Sequence, residues 1–306
     1  MFFRYKDMFN RAVFDFSLRK VFTLPPIHLD HDSNTALLSM LQKKDMIMYL
    51  LSVRSFTQYV KVSKVFIMND GSLGPSDIQI LKAAIPEVVI LAKTSYRSTL
   101  CPENGCWERL LAISELVNDY YVVQLDADTL SIKPILDVQS CILSGIAFTM
   151  TDNSRHTVKS MESRSEIGKS MLKKGDTHIQ VRAEANFDKI DEYKKLKYVR
   201  GCAGFAGFPQ RSFSKSFVEH ISSQMFSVLG EKWAEWGTEQ VMSNIVIANI
   251  KQNSILPNPE YCEINQINNK TCFIHFIGSH RFKNGVYIKN SKNVLDNLAR
   301  IYCSET

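Results

Sequence analysis

Residues 120–129 read Tyr-Tyr-Val-Val-Gln-Leu-Asp-Ala-Asp-Thr. Tyr121 to Val123 and Leu125 give this run the apolar content of a buried strand. Asp126 and Asp128 then appear at its carboxyl end. Open α/β sheets gather their ligands at the carboxyl ends of strands. Two acids one residue apart repel each other there unless a cation sits between them. A hard divalent ion with oxygen ligands meets that need, and such ions usually also bind a substrate's phosphates. An Asp-rich turn after a strand spells the same letters without chemistry, so the motif needs support from elsewhere in the chain.

Outward from this strand the pattern alternates. Val21 to Leu24, stopped by Pro25-Pro26, predicts a first strand. Residues 45–59 predict a helix, and 64–72 (KVFIMNDGS) a buried strand ending in a turn. SDIQILKAAIP predicts a helix capped by Ser76 or Asp77, with Pro86 beyond its end. Strand, helix and strand follow at 87–93, 106–117 and 144–150. Such alternation predicts an α/β protein with a mostly parallel sheet flanked by helices. Residues 151–197 are polar and carry Lys169, Lys173, Lys174 and Arg182, which predicts an insertion or lid. Regular patterning returns at 198–209, and two helices and a short strand lead to 271–285. The expected organisation is an N-terminal amphipathic helix over 1–19, one domain over 20–290, and a C-terminal helix or tail over 291–306. No internal repeat is present.

The chain has 306 residues, 45% apolar and 22% charged. That composition excludes a disordered or collagen-like chain. No stretch approaches the roughly 18 apolar residues of a membrane span. The first twenty residues lack the apolar core of a secretory signal. Seven cysteines make no disulfide framework, and Cys101, Cys106, Cys262 and Cys272 lack zinc-site spacing. A reducing cytoplasm is therefore the expected compartment.

Lys and Arg number 37 against 31 acids, a net charge of +6. The excess suits an anionic ligand or membrane surface. It is diffuse, with no basic cluster interleaved with aromatics, so no nucleic acid is expected. Phe2, Tyr5, Phe9, Val13 and Phe16 recur at helical spacing among Arg4, Lys6, Arg11, Arg19 and Lys20. Such a helix either docks on its own domain or a sister subunit, or lies on an anionic membrane through residues 2–20.

Support for the acid pair comes from His275, which ends the run Cys272-Phe273-Ile274. Histidine is the commonest nitrogen ligand of borderline metals. It opens His-Phe-Ile-Gly-Ser-His-Arg, residues 275–281. Gly278 would let backbone approach a ligand closely. Arg281 and Lys283 would meet phosphate oxygens.

With these residues in place the chain resembles a nucleotide-sugar glycosyltransferase of the GT-A fold, closest to the bacterial family 8 type. That family carries a DxD after a strand and a late H-x-x-G-x-x-K. The resemblance assigns Asp126, Asp128 and His275 as ligands of Mn²⁺ or Mg²⁺, and Gly278 as the glycine of the late motif. Arg281 stands where the family has lysine, which replaces a point charge by a fork. Arg109, seventeen residues before Asp126, matches a donor-binding arginine of the family, whereas Trp107 and Glu108 read as packing and solvent residues. Trp236-Gly237-Thr238-Glu239-Gln240 resembles the family's acid-Gln element. Gln240 is then the group beneath the reacting sugar carbon, and Glu239 binds sugar hydroxyls or acts as a base. The same letters describe a helix start capped by Thr238. Gly201, Gly204 and Gly207 would line the sugar pocket, or simply allow tight packing.

Asn69-Asp70-Gly71-Ser72 resembles instead the DDGS of family 2, whose acid reads the uracil, and is also a plain Asp-Gly turn. A haloacid-dehalogenase-type phosphatase would place Thr or Val where Leu130 stands, and its later paired acids have no counterpart, since this sequence has no adjacent Asp pair. The resemblance implies transfer of a sugar from a UDP-sugar to an oligosaccharide or lipid-linked glycan, in bacterial cell-surface polysaccharide synthesis. Family 8 likeness implies retention of configuration. Family 2 likeness implies inversion with Glu239 as base. A non-catalytic sugar-nucleotide binder is the alternative of another class.

Overall fold

The computed structural model describes residues 2–152, 156–278 and 281–304; the side chains of residues 2–7, Lys283 and Ser304 lie outside that description. In chain order the helices are α1 (Phe2–Leu18), α2 (Met46–Thr57), α3 (Pro75–Ala84), α4 (Trp107–Leu116), α5 (Leu136–Leu143), α6 (Met161–Lys173), α7 (Ile179–Glu184), α8 (Lys215–Leu229), α9 (Thr238–Asn249) and α10 (Val286–Ser304). The strands are β1 (Thr35–Leu41), β2 (Lys64–Asn69), β3 (Val89–Ala92), β4 (Tyr121–Leu125), β5 (Thr129–Ser131), β6 (Ala147–Thr149), β7 (Lys159–Ser160), β8 (Lys197–Tyr198), β9 (Phe205–Phe208), β10 (Asn253–Ile255), β11 (Tyr261–Glu263) and β12 (Phe273–His275). The architecture is mixed α/β, with a central, mostly parallel sheet flanked by helices, as the alternation predicts.

The chain divides into two units. One comprises residues 1–91, 124–140 and 257–306. Its strands β1 and β2 run parallel, with Leu37 opposite Val65 and Met40 opposite Met68. Almost every residue of both is buried, which is why their sequences run apolar without alternating. Helix α2 buries Tyr49, Leu50, Leu51, Val53 and Phe56, and so is apolar nearly all round. A small second sheet has the order β11-β12-β5, parallel in its first pair and antiparallel in its second.

Both terminal helices belong to this unit. The Phe14 ring of α1 lies 5.4 Å from Phe282 and 4.5 Å from Tyr287, and Tyr287 stacks on Phe276 at 4.0 Å. Asn10 donates to the Phe282 carbonyl at 3.4 Å, and Arg11 pairs with Asp45 at 2.6 Å. So α1 docks on its own unit. Its calls at Phe2, Arg4, Tyr5 and Lys6 lie outside the described side chains.

Two local expectations are corrected. Val21 to Leu24 is no strand: residues Arg19–Thr23 form a 3-10 turn that continues α1 and buries Val21. The first strand is β1, whose Ala, Leu and Met residues carry helical propensity that tertiary pairing overrides. Helix α3 is capped by neither Ser76 nor Asp77. Its N-cap is Gly74, Pro75 opens the helix, and Asp77 accepts the Gly74 N–H at 2.9 Å.

The second unit comprises residues 92–123 and 141–256. Here β6 lies between β10, parallel to it, and β9, antiparallel. Gly207 is required by crowding: a Cβ there would fall 2.2 Å from the Phe148 ring. Residues 151–197 hold more core than their polar letters suggest. Met161, Ile179, Val181, Phe187 and Ile190 are buried, and Arg164 of α6 pairs with the fully buried Glu184 of α7.

Phe14 is 1% exposed and is the aromatic anchor of α1. Phe14→Ala is expected to destabilise the protein by about 3–5 kcal/mol, the usual loss for a truncated core Phe. Urea unfolding followed by circular dichroism measures it, with Phe9→Ala as the exposed control expected to change little.

Candidate active site

The antiparallel ladder of β5 and β12 brings the distant motifs together. It sets His275 opposite Thr129, Ile274 opposite Leu130 and Phe273 opposite Ser131. One residue beyond its end, the Phe276 N–H donates to the Asp128 carbonyl at 2.8 Å. His275 therefore has to stand beside the acid pair. Its Nε2 lies 3.3 Å from Asp128 Oδ1 and 3.9 Å from Asp126 Oδ2.

The turn carrying the acids is pinned from below. Ser39 of β1 donates to the Leu125 carbonyl at 2.5 Å, and Ser52 of α2 donates to the Asp126 carbonyl at 3.1 Å. The Ser52 and Thr129 hydroxyls are 2.6 Å apart, and Thr129 also donates to the Asp126 carbonyl at 2.9 Å. Main-chain carbonyls that would point into an apolar core are thus satisfied. The carboxylates are left to face each other and His275.

Arg281 completes the group. Its guanidinium NH2 donates to Asp128 Oδ2, and its Nε donates to the Phe276 carbonyl at 3.0 Å. Gly278 has a φ of +69°, and the Arg281 N–H donates to the Gly278 carbonyl at 3.3 Å. Burial pushes the Asp128 carboxyl up, but His275 and Arg281 together more than offset this and leave it below the usual carboxylate range. Asp128 is therefore ionised at neutral pH, the state a cation site needs.

One ligand atom from each of Asp126, Asp128 and His275 fits within 4.8 Å of the others. Metal–ligand bonds of about 2 Å place neighbouring ligand atoms about 3–4 Å apart. Two carboxylates and an imidazole, with Asp126 still 30% exposed, suit a divalent ion that keeps further positions for substrate or water. The three residues and their spacing fit such an ion.

Of the other expected donor-binding residues in this unit, Asp70 sits in the tight turn after β2. Its Oδ1 accepts the Ser72 N–H at 2.9 Å and the Ser72 hydroxyl at 2.6 Å. The Lys283 side chain, Ser279 and His280 lie outside the described residues.

The second unit has a cluster of its own. Arg109 of α4 and Glu239 of α9 are both buried and lie 3.6 Å apart, and Arg109 also reaches the Ala203 carbonyl at 3.4 Å. Gln240 and Asn244 stand one helical turn apart on α9. Their amide NH2 groups donate to the same acceptor, the Gly201 carbonyl, at 3.1 and 3.0 Å. Gly204 follows in the same loop, its N–H on Cys202 Sγ at 3.4 Å. A Cβ on Gly201 would lie 2.4 Å from Thr149 Oγ1 and 2.8 Å from Asn244 Oδ1. The loop can run here only with glycine.

Two sequence expectations change. Thr238 is not the cap of α9. Gly237 holds that position with φ +104°, while the Thr238 hydroxyl donates to Glu235 O and accepts the Trp107 indole N–H at 3.0 Å. Glu108 is no solvent residue. It is 1% exposed, accepts the Asn104 N–H at 3.0 Å and lies 3.5 Å from Lys93. Ser39, Ser52 and Asn244 had no signal in the sequence, because small hydroxyls and amides acquire these roles only by pairing with distant carbonyls.

No protein-family model matches the chain, and no curated protein matches it in sequence. Solved structures do. The chain shares its fold with the glycosyltransferase GlyE of Streptococcus pneumoniae. In the apo form of GlyE the TM-score is 0.53 at 11% identity, over 89% of this chain and 64% of that one. Mouse xyloside xylosyltransferase 1 follows at 0.47 and 9% identity, over 79% of this chain and 96% of that one. The galactosyltransferase LgtC gives 0.45 and 8% identity, over 86% and 95%. The likeness to GlyE is one of fold, and this chain's match spans less than two thirds of its length.

Gly201→Ala is expected to destabilise the protein by about 1–3 kcal/mol through overpacking against Thr149 and Asn244. Differential scanning calorimetry reads this as a lower melting temperature. Asn244→Ala introduced with it should recover part of the loss.

Proposed function

We propose that the chain is a metal-dependent glycosyltransferase that moves a sugar from a UDP-sugar to a carbohydrate acceptor. The observation that carries this reading is the convergence of Asp126, Asp128, His275 and Arg281 at the carboxyl end of β4. An acid pair, an imidazole and a guanidinium together form a receptor for a divalent ion with a diphosphate. When bound there, Mn²⁺ or Mg²⁺ supplies Lewis acidity for the departing nucleoside diphosphate.

The chain's own residues divide the remaining work. Asp126, Asp128 and His275 hold the ion. Arg281 and Lys283 neutralise the charge that develops on the leaving phosphate. Asp70, Arg109, Gly204 and Gly278 take donor-binding roles. Gln240 is assigned to the reacting sugar. Its NH2 is committed to the Gly201 carbonyl, which orients the amide and keeps its Oε1 lone pairs for an electron-poor sugar carbon. Glu239 is buried beside Arg109, a poor situation for a general base, and this favours the retaining, family 8-like route over inversion.

The test is UDP release from a panel of UDP-sugars with and without Mn²⁺. Metal-dependent release from one donor is expected, falling to background in Asp126→Asn and Asp128→Asn. Gln240→Ala should cut turnover by about 10²–10³-fold with UDP binding unchanged. Thermal stabilisation by Mn²⁺ with UDP and no turnover of any donor would leave a sugar-nucleotide binder. Stabilisation that survives both Asp changes would sink the metal assignment.

The place of action proposed is the cytoplasmic face of a bacterial membrane, on an oligosaccharide or lipid-linked glycan of the cell surface. No helix among the described residues is long and apolar enough to cross a membrane. Yet α1, docked through Phe14, leaves Met8, Phe9 and Phe16 about two thirds exposed, at 66%, 67% and 68%. Arg19 stacks over Phe16 and Lys20 is exposed beside it. Aromatic groups flanked by cations fit the interface of an anionic bilayer. Co-sedimentation with phosphatidylglycerol vesicles, and not with phosphatidylcholine alone, is expected and should be lost in Phe9→Ser/Phe16→Ser. A concentration-dependent dimer that the same changes dissolve would overturn the membrane contact.

A further inference from the structure

Arg281 occupies Asp128 directly. Its guanidinium bonds the Oδ2 of a carboxylate whose Oδ1 already faces His275 at 3.3 Å, so both oxygens of Asp128 have partners. A divalent ion ligated by Asp126, Asp128 and His275 brings its charge into the same contact. Two cations sharing one carboxylate repel each other, so the ion binds more tightly if the other cation can give way. Arg281 is the group that can. Its side chain is 23% exposed, whereas that of Asp128 is 8% exposed and its backbone is anchored by its own carbonyl to Phe276. A guanidinium that leaves a carboxylate needs another anion, and a diphosphate offers the same planar, two-point geometry.

We infer that Arg281 is the resident counter-cation of Asp128, and that the diphosphate, by drawing it away, opens Asp128 to the metal. Metal and nucleotide then bind with positive coupling, because each clears the way for the other. The fork is what distinguishes Arg281 from lysine at this position. It holds Asp128 and the Phe276 carbonyl at once, so the closed state is a defined arrangement of the chain. This inference rests on the donor reading above.

The experiment is Mn²⁺ binding to the full chain, read by the free-ion electron paramagnetic resonance signal, with and without saturating UDP. Wild type is expected to bind Mn²⁺ weakly alone and at least about tenfold more tightly with UDP, the worth of one charged hydrogen bond. Arg281→Gln should bind Mn²⁺ alone about tenfold more tightly than wild type and lose that advantage when UDP is present. Arg281→Lys, which keeps the charge without the fork, should shift the same way by a smaller factor and guards against a variant that fails to fold. Equal Mn²⁺ affinity in all three proteins without UDP overturns the inference. So does a gain in Arg281→Gln that persists undiminished with UDP, since Arg281 would then act only as a fixed repelling charge. Wild type that binds neither Mn²⁺ nor UDP defeats the donor reading and this inference together. Wild type that binds both, with no effect of Arg281, defeats this inference alone.

Discussion

The pairing of β5 with β12 is the constraint on which the cluster of Asp126, Asp128 and His275 depends. Each is a strand of three residues, too short to persist alone. The register between them is fixed by buried side chains, Leu130 against Ile274 and Ser131 against Phe273. All six residues are buried, so a slip of one residue in β5 would put the polar Thr129 or Ser131 where Leu130 packs. The hydrophobic interior of the unit therefore sets the position of His275 relative to Asp126 and Asp128. The cluster is placed by apolar side chains that are not part of it.

A second economy governs the other unit. Arg109 and Glu239 are removed from water, and a buried ion pair recovers its desolvation cost only with good geometry and further hydrogen bonds. The Ala203 carbonyl gives Arg109 one such bond. The same loop offers the Gly201 carbonyl to two amides of α9. A stretch without regular structure is thereby tied to two helices through its own backbone, and Trp107 adds a direct tie between those helices through Thr238. Loops that carry polar groups precisely need such anchoring, because they lack a ladder of their own.

Much of this was legible in the letters. The alternation of strands and helices gave the fold class, and the acid pair stood out because two like charges one residue apart at a strand end repel each other unless a cation sits between them. His275 was legible only through Gly278 and Arg281, since a single histidine says little. What stayed hidden has a common cause. β1 is written in helix-favouring residues and becomes a strand because both its faces are covered. Residues 161–190 look polar because their apolar side chains are spaced along short helices rather than gathered in a run. Ser52 and Thr129 gain meaning only from carbonyls that approach them in three dimensions. Local periodicity reports which face of an element is buried, and it is silent about which distant carbonyl will need a donor.

The unit that holds the acid pair is assembled from three separate stretches, the last of them residues 257–306. During synthesis β1, α2 and β4 emerge long before β11, β12 and α10 exist. Until then Leu130 lacks its β12 neighbour Ile274, Phe14 lacks Phe282 and Tyr287, and the acids have neither His275 nor Arg281. The second unit, complete by residue 256, can close first. A chain with so many long-range contacts folds slowly. The cluster of Asp126, Asp128, His275 and Arg281 thus waits on residues 257–306, and a chain cut before them would carry the Asp pair without the groups that tame its charge.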